Sequence, residues 1–434
     1  MKHRSSHSAA AALALSVCAA PAFSQSSGDS IQVYGFLAPM VDALSVKGAS
    51  GTAPPAADRP SMLGPRSYNA TGNGTLVRMQ SSISNIGFRG SENLGAGWRA
   101  NFQLETGIQV DDGSLTGGAL APSRVYNRNT RVGLSGPGGG LLLGSWDTPN
   151  AWSHLGYTNG VRNPYTGDSS DIFLTPGFNV PHSITSDSRS NSPADATFNR
   201  RQGNSIQYWS PNWAGFSFRL NYSLPEGDRT AANGARYAPS IYGLGAEYAA
   251  GPWTVRYVHQ QQRNYFGLAW LGPNPAANPE TAGSTATASK DINHRLIARY
   301  AIDSAWTVQG TVDYLDYRTS GVAAGSVNEY SRTAYSALLL YRKDLHVVWA
   351  SYGLADDGHC SLAGSATCST QDLGASMWSV GYRYNLSKRT DIFTSVYQVL
   401  NKANGQYGVF PRMLAGTAPG SRQSGLTLGL EHSF

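Results

Sequence analysis

Residues 98–108 read WRANFQLETGI. Trp98, Ala100, Phe102, Leu104, Thr106 and Ile108 fall on one face of an extended chain, and Arg99, Asn101, Gln103, Glu105 and Gly107 on the other. A period of two sets one face against something greasy and the other against something wet. The pattern recurs. Phe216, Phe218, Leu220 and Tyr222 alternate with Ser217, Arg219, Asn221 and Ser223. Trp378, Val380, Tyr382, Tyr384 and Leu386 alternate with Ser379, Gly381, Arg383 and Asn385, and Leu426, Leu428, Leu430 and Phe434 with Thr427, Gly429, Glu431 and Ser433. A soluble sandwich also alternates, with its greasy face hidden between two sheets. Here the greasy faces are rich in Tyr and Trp at their ends, which suits a lipid interface better.

Composition points the same way. Of 434 residues, 14% are charged, against about 25% in a soluble domain. Gly (49) and Tyr (23) are abundant, as in an all-β chain, and aromatics at 11% argue against global disorder. Lys2, His3 and Arg4 precede an apolar run from Ala9 to Ala20, and Ala22 and Ser24 form a small-x-small cleavage pattern before Gln25. Residues 1–24 are therefore expected to be a signal peptide, and 25–434 a single barrel domain. The apolar run is shorter than the roughly 20 residues of a spanning helix, and Val17 before Cys18 speaks against lipidation. Loss of Lys2 and Arg4 takes the formal charge from +6 to +4, too mild and scattered to argue for nucleic acid. Export leaves Cys360 and Cys368 in a Gly- and Ser-rich loop, where they can close a small disulfide or stand as free thiols.

No apolar run near 18 residues follows residue 24, so strands must do any spanning. Short turns are readable at Ser91–Gly97, Gly136–Gly140, Pro211–Gly215, Ala250–Pro252, Asp303–Ala305, Lys343–Asp344 and Ser387–Arg389. Between them lie long polar segments near 46–74, 111–127, 149–203, 225–239, 264–290, 320–330, 356–374 and 401–422. Short and long connections alternate along the whole chain and delimit sixteen strands, each long enough to cross a bilayer when tilted. Trp98, Trp253 and Trp306 open strands just after a short turn and Trp213 lies within one; indoles prefer the headgroup level. The fold class predicted is all-β: a transmembrane sixteen-stranded antiparallel barrel.

Several segments resemble the general trimeric porins of Gram-negative bacteria, above all the β-proteobacterial kind. They are 82–105 (SISNIGFRGSENLGAGWRANFQLE), 128–148 (RNTRVGLSGPGGGLLLGSWDT), 204–222 (NSIQYWSPNWAGFSFRLNY), 381–395 (GYRYNLSKRTDIFTS) and the final LGLEHSF. The resemblance implies a homotrimer in the outer membrane, passing ions and small hydrophilic solutes passively. It implies a third long loop, here about 149–203, folded into the lumen as a constriction. Phe434 resembles the aromatic terminus that such barrels present to their assembly machinery. Lipid and lipopolysaccharide are the implied surroundings, with no cofactor and no metal.

A sixteen-stranded barrel leaves an aqueous channel, in which fixed guanidiniums facing carboxylates favour one ion sign. By alternation the lumen candidates are Arg99, Arg131, Arg219, Arg256, Arg295, Arg299 and Arg383, with Glu105 on the polar face of 98–108. Arg128 corresponds to a fourth-strand arginine of the family, yet its parity with Val132 would turn it outward, and that conflict stays open. Asp168 and Asp171, and further on Asp187 and Asp195, could supply the acidic side from the long loop. Tyr157, Tyr165, Phe173 and Phe178 suggest an aromatic neck, hence the alternative of a substrate-specific channel. Two other classes are weighed. An outer-membrane hydrolase would need a nucleophile motif, and there is no Gly-x-Ser-x-Gly. A soluble carbohydrate-binding β-protein would leave membranes without detergent.

Three departures from the family pattern are informative: Asn85, Ser145 and Gln207 stand where its members often carry arginine. A thinner basic side predicts weaker anion preference than in the arginine-rich members. Reversal potentials in a salt gradient check this; strong anion selectivity refutes it.

Overall fold

The computed structural model describes residues 30–49, 61–63, 74–81, 83–116, 125–154, 170–185, 193–225, 229–274, 279–280, 283–364, 367–409 and 417–434. Within them the alternating segments form sixteen antiparallel strands closed into one barrel. Strand β1 has two segments, Ser30–Leu37 and Met40–Lys47, as does β2, Gly74–Gln80 and Asn85–Gly95. Then come β3 (Trp98–Ile108), β4 (Thr130–Gly136), β5 (Gly139–Asp147), β6 (Arg200–Trp209), β7 (Phe216–Ser223) and β8 (Ser240–Ala250). The rest are β9 (Trp253–Arg263), β10 (Ala288–Ala301), β11 (Trp306–Ser320), β12 (Val327–Lys343), β13 (His346–Ala355), β14 (Ala375–Asn385), β15 (Thr390–Asn401) and β16 (Arg422–Ser433). Each strand pairs with its successor, and β16 returns to β1 with Gly429 opposite Met40 and Arg422 opposite Lys47. Closure removes the sheet edges that lipid could not hydrogen-bond.

The break in β1 has a local cause. Pro39 brings no N–H to the ladder. The gap is filled from β2, where Ser84 Oγ accepts from the Ala38 amide (2.8 Å), while the Pro39 carbonyl accepts from Leu430 N–H (3.1 Å). At the other end of the seam Phe434 N–H donates to the Gly35 carbonyl (3.1 Å) and Gly35 N–H to that of Phe434 (3.3 Å).

The turn expected over Ser91–Gly97 is tighter. Pairing runs on to Gly95 opposite Trp98, and residues 95–97 take φ of 85°, 50° and 79°. Two of these left-handed positions are glycines, which have no Cβ to clash there. The long segment read near 320–330 shrinks to 321–326, because β11 and β12 extend toward each other.

One face of the wall is apolar and exposed, as at Val132 (57%) and Leu428 (61%). Trp98, Trp213, Trp253 and Trp306 are exposed at the short-turn end, where Trp253 lies 4.6 Å from Tyr300 and Trp306 4.7 Å from Tyr341. An exposed apolar band bordered by indoles and phenols matches an acyl layer bordered by headgroups. The opposite face is polar and buried: Gln207, Asn221, Gln260, Asn293, Arg295, Asp313 and Gln423.

Placing a charge on the apolar face should cost most at mid-strand. Leu428→Arg is expected to lose about 2–4 kcal/mol of stability in lipid. Urea unfolding in vesicles checks this, with Leu428→Ile as the neutral control.

Candidate functional site

The buried face gathers around the chain between β5 and β6. Helix α1 (Pro149–His154) opens this connection. Thr148 sits before it, its Oγ1 accepting from the Ala151 amide (3.4 Å), and Pro149 takes the first helical position, where a missing N–H costs nothing. The helix lies against β8 because β8 is bare there. A Cβ on Gly243 would stand 2.8 Å from Pro149 Cδ, and one on Gly245 2.7 Å from the Trp152 ring.

Two arginines tie the connection to the wall. Arg295 Nη1 donates to the Asn150 carbonyl (3.2 Å) and to Ser153 Oγ (3.0 Å), and its Nε to Asp313 Oδ2 (2.8 Å). Arg332 lies 3.7 Å from the other oxygen of Asp313. Its Nη2 donates to the carbonyls of Ile172 (3.3 Å), Phe173 (3.0 Å) and Thr175, at the end of α2 (Ser170–Phe173). These last carbonyls of a short helix lack internal partners, and a guanidinium satisfies them. Arg295, Asp313 and Arg332 are each 1% exposed or less. Neutral groups complete the seam. Gln260 Nε2 donates to Phe198 O (3.0 Å), Gln262 Nε2 to Thr197 O (2.9 Å), Tyr317 OH to Ala196 O (2.7 Å) and Asn150 Nδ2 to Asn293 Oδ1 (2.6 Å).

Beside this seam arginines and indoles interleave. Arg131 lies 4.4 Å from the Trp146 ring and 5.1 Å from that of Trp209. Arg219 lies 4.4 Å from Trp209 and 4.4 Å from Trp152, and Arg256 4.3 Å from Trp152.

A model of the family described as Gram-negative porin matches residues 9–404. The chain belongs to the Gram-negative porin family. It is accordingly a passive outer-membrane channel rather than an enzyme. Among its relatives, outer membrane porin protein 32 of Delftia acidovorans is 25% identical over 357 residues, covering 81% of this chain and 85% of the relative. The structure of the anion-selective porin from Comamonas acidovorans superposes with a TM-score of 0.66 at 20% identity, over 94% of this chain and all of that one. The trimer form of OmpT of Vibrio cholerae gives 0.55 at 12% identity, over 94% of this chain and 99% of that one.

The residues singled out in the porin's sequence scatter over several settings. Arg256 pairs with Glu247 on the same buried face and also donates to the Ser153 carbonyl (2.9 Å). Arg299 donates to Gln309 Oε1 (3.0 Å), and Arg383 to Asn385 Oδ1 (2.9 Å) with Asp391 at 3.7 Å. Arg99 is exposed beside the 95–98 turn and donates to Ser91 Oγ (2.7 Å). Arg128 pairs with Glu105 at 2.5 Å, and Tyr34 OH donates to the same carboxylate (2.9 Å). Residues 125–129 precede β4 and are not extended, so counting back from Val132 says nothing about where Arg128 points. Asp171 and Asp195 are buried, whereas Asp168, Asp187, Tyr157 and Tyr165 lie outside the described residues. The sulfurs of Cys360 and Cys368 are bonded, with Cα atoms 5.6 Å apart, and pack beside Tyr330 and Leu362.

Sequence reasoning missed Arg332, Asp313 and the three indoles of the Arg–Trp array. The run Leu338-Leu339-Leu340 hides the parity of β12, since Leu338 and Leu340 are buried while Leu339 is exposed. Trp146, Trp152 and Trp209 carry no periodic or motif signal that sets them apart in the sequence.

His154 is buried in the last turn of α1, edge-on to His182 at 6.4 Å, and His182 Nε2 lies 3.2 Å from Asp171 Oδ1. Burial first, then Arg295 and Arg256, push His154 down to about 3. Its pKa is thus lowered by folding. The stability it contributes is complete above the free imidazole value near 6.5 and is lost as pH falls from there toward 3. Acidification from pH 7 to 4 should loosen α1, and His154→Gln should flatten that dependence; protease nicking between β5 and β6 as a function of pH measures it.

Proposed function

We propose that the buried polar face is the lumen of the porin and that 149–203 is its constriction loop. On this reading residues 1–24 are a signal peptide, 25–434 the barrel, and the working form a homotrimer set in lipid and lipopolysaccharide, with Phe434 offered to the assembly machinery. What carries it is the double fastening of α1 and α2 to the wall through Arg295, Asp313 and Arg332. A loop held at two points by buried charge stays in place under flow and field. The trimer form of the Vibrio OmpT structure supports the assembly state.

The lumen is then lined by Arg99, Arg128, Arg131, Arg219, Arg256, Arg295, Arg299 and Arg383 among polar side chains, with Glu105 and Asp171 on the acidic side. Much of the basic charge is matched by acid. Arg78 pairs with Asp42, Arg128 with Glu105, Arg201 with Asp147, Arg256 with Glu247 and Arg295 with Asp313. Such neutralisation supports a weak overall ion preference. Phe173 and Phe178 are 3% and 2% exposed, packed away rather than presented, which favours a general pore over an aromatic-lined specific one.

Planar-bilayer recordings test the reading. Stepwise conductance proportional to bulk salt, with sugar uptake into liposomes falling smoothly with sugar size, is expected. Current block saturating with one sugar would favour a specific channel, and absence of conductance would refute the lumen assignment.

A further inference from the structure

We propose that Arg131 and Arg219, each with its guanidinium carbon over two indole rings, form a two-step carboxylate-binding track on the inner wall of the porin. This rests on the reading of that wall as the lumen.

A guanidinium offers two different surfaces. Its faces attract aromatic rings, and its edge carries N–H donors in a planar fork. In Arg219 the guanidinium carbon lies over two rings, 4.4 Å from the centroids of both Trp209 and Trp152. In Arg131 it lies over Trp146 and Trp209, 4.4 and 5.1 Å from their centroids, two rings that are themselves inclined at 60°. The edges are unmatched. Among the described residues neither guanidinium makes a hydrogen bond or ion pair; Nε of Arg131 is buried without a partner, so the edge that a solute meets is the pair of terminal nitrogens, which are not buried. The acids whose charge reaches Arg219 are Glu247 and Asp147. Both are committed elsewhere, Glu247 to Arg256 and Asp147 to Arg201 (2.8 Å). Arg256 is the internal contrast: it stacks on Trp152 as Arg219 does, but spends its edge on Glu247 and the Ser153 carbonyl.

An unmatched fork, held between indole rings, prefers an acceptor with two oxygens in one plane. A carboxylate has them; a halide has one centre. Trp209 joins the two arginines and is itself fixed, its Nε1 donating to Gln207 Oε1 (3.1 Å) while Gln207 Nε2 donates to Asn221 Oδ1 (3.0 Å). A small organic carboxylate released by one fork meets the next across a single indole, so passage is eased while binding at either stays weak. The substrate class this wall suits is the small carboxylic acid anion.

The test uses the full-length porin in planar bilayers, with potassium acetate against potassium chloride. Acetate-to-chloride permeability, corrected for aqueous mobility, is read from reversal potentials. Arg219→Lys keeps the charge and loses the fork. It should lower the acetate-to-chloride ratio by about threefold, more than it changes the chloride-to-potassium ratio, which follows the charge that lysine keeps. Trp209→Leu, which frees both arginines without removing charge, should lower acetate likewise; insertion as conducting channels shows that each variant has folded. An unchanged acetate-to-chloride ratio in both variants overturns the track while leaving the lumen reading intact. Wild-type protein that forms no channels overturns the lumen reading and the track with it.

Discussion

A peptide group in an acyl layer has nothing to bond to except another peptide group. The rest of the architecture follows from this constraint. It forces the strands to pair all the way round, and β16 meets β1 residue against residue from Gly429 to Arg422. A closed wall then has two surfaces with opposite solvents, and strict alternation sorts the side chains between them. Where the chain cannot obey, as at Ala38–Pro39, a side chain is recruited: Ser84 Oγ accepts from the Ala38 N–H.

Inside the wall the difficulty reverses. Water is near, but the segments that cover the polar face shut it out locally, and arginines there lose hydration that only partners can replace. Asp313 meets this for two cations at once, with Arg295 at 2.8 Å and Arg332 at 3.7 Å. Loop carbonyls serve as the remaining acceptors. Docking of α1 and α2 and neutralisation of the wall are therefore one event. Arginine suits this better than lysine, because its fork reaches a carboxylate and a backbone carbonyl in different directions.

The barrel was legible in the sequence because lipid tolerates so few alternatives. In 98–108 and 216–223 the alternation alone separates wet from greasy faces, and the regular change between short and long connections sets the number of strands. Legibility failed where that logic stops. Arg128 precedes β4 in chain that is not extended, so parity could not place it. Arg332 sits in a strand whose inner face turns apolar at Leu338 and Leu340, masking its direction. Docking partners such as Ser153 and Thr175 depend on how a long connection returns to the wall, and that path leaves no periodic trace. The strand limits near Ser91 erred for a related reason: SENLG is polar, yet it pairs as far as Gly95.

On the proposed reading of 149–203 as the constriction loop, the bare strip on β8 gives the pore a way to change. Because Gly243 and Gly245 let α1 rest on main chain, the standoff of that helix is set by a surface with no side chains to adjust. A lineage that exchanged either residue for a bulkier one would shift α1 by the girth of that side chain while every ionised group kept its identity. Calibre and ionic character would thus drift independently, one governed by steric padding beneath the loop and the other by guanidinium and carboxylate chemistry around it.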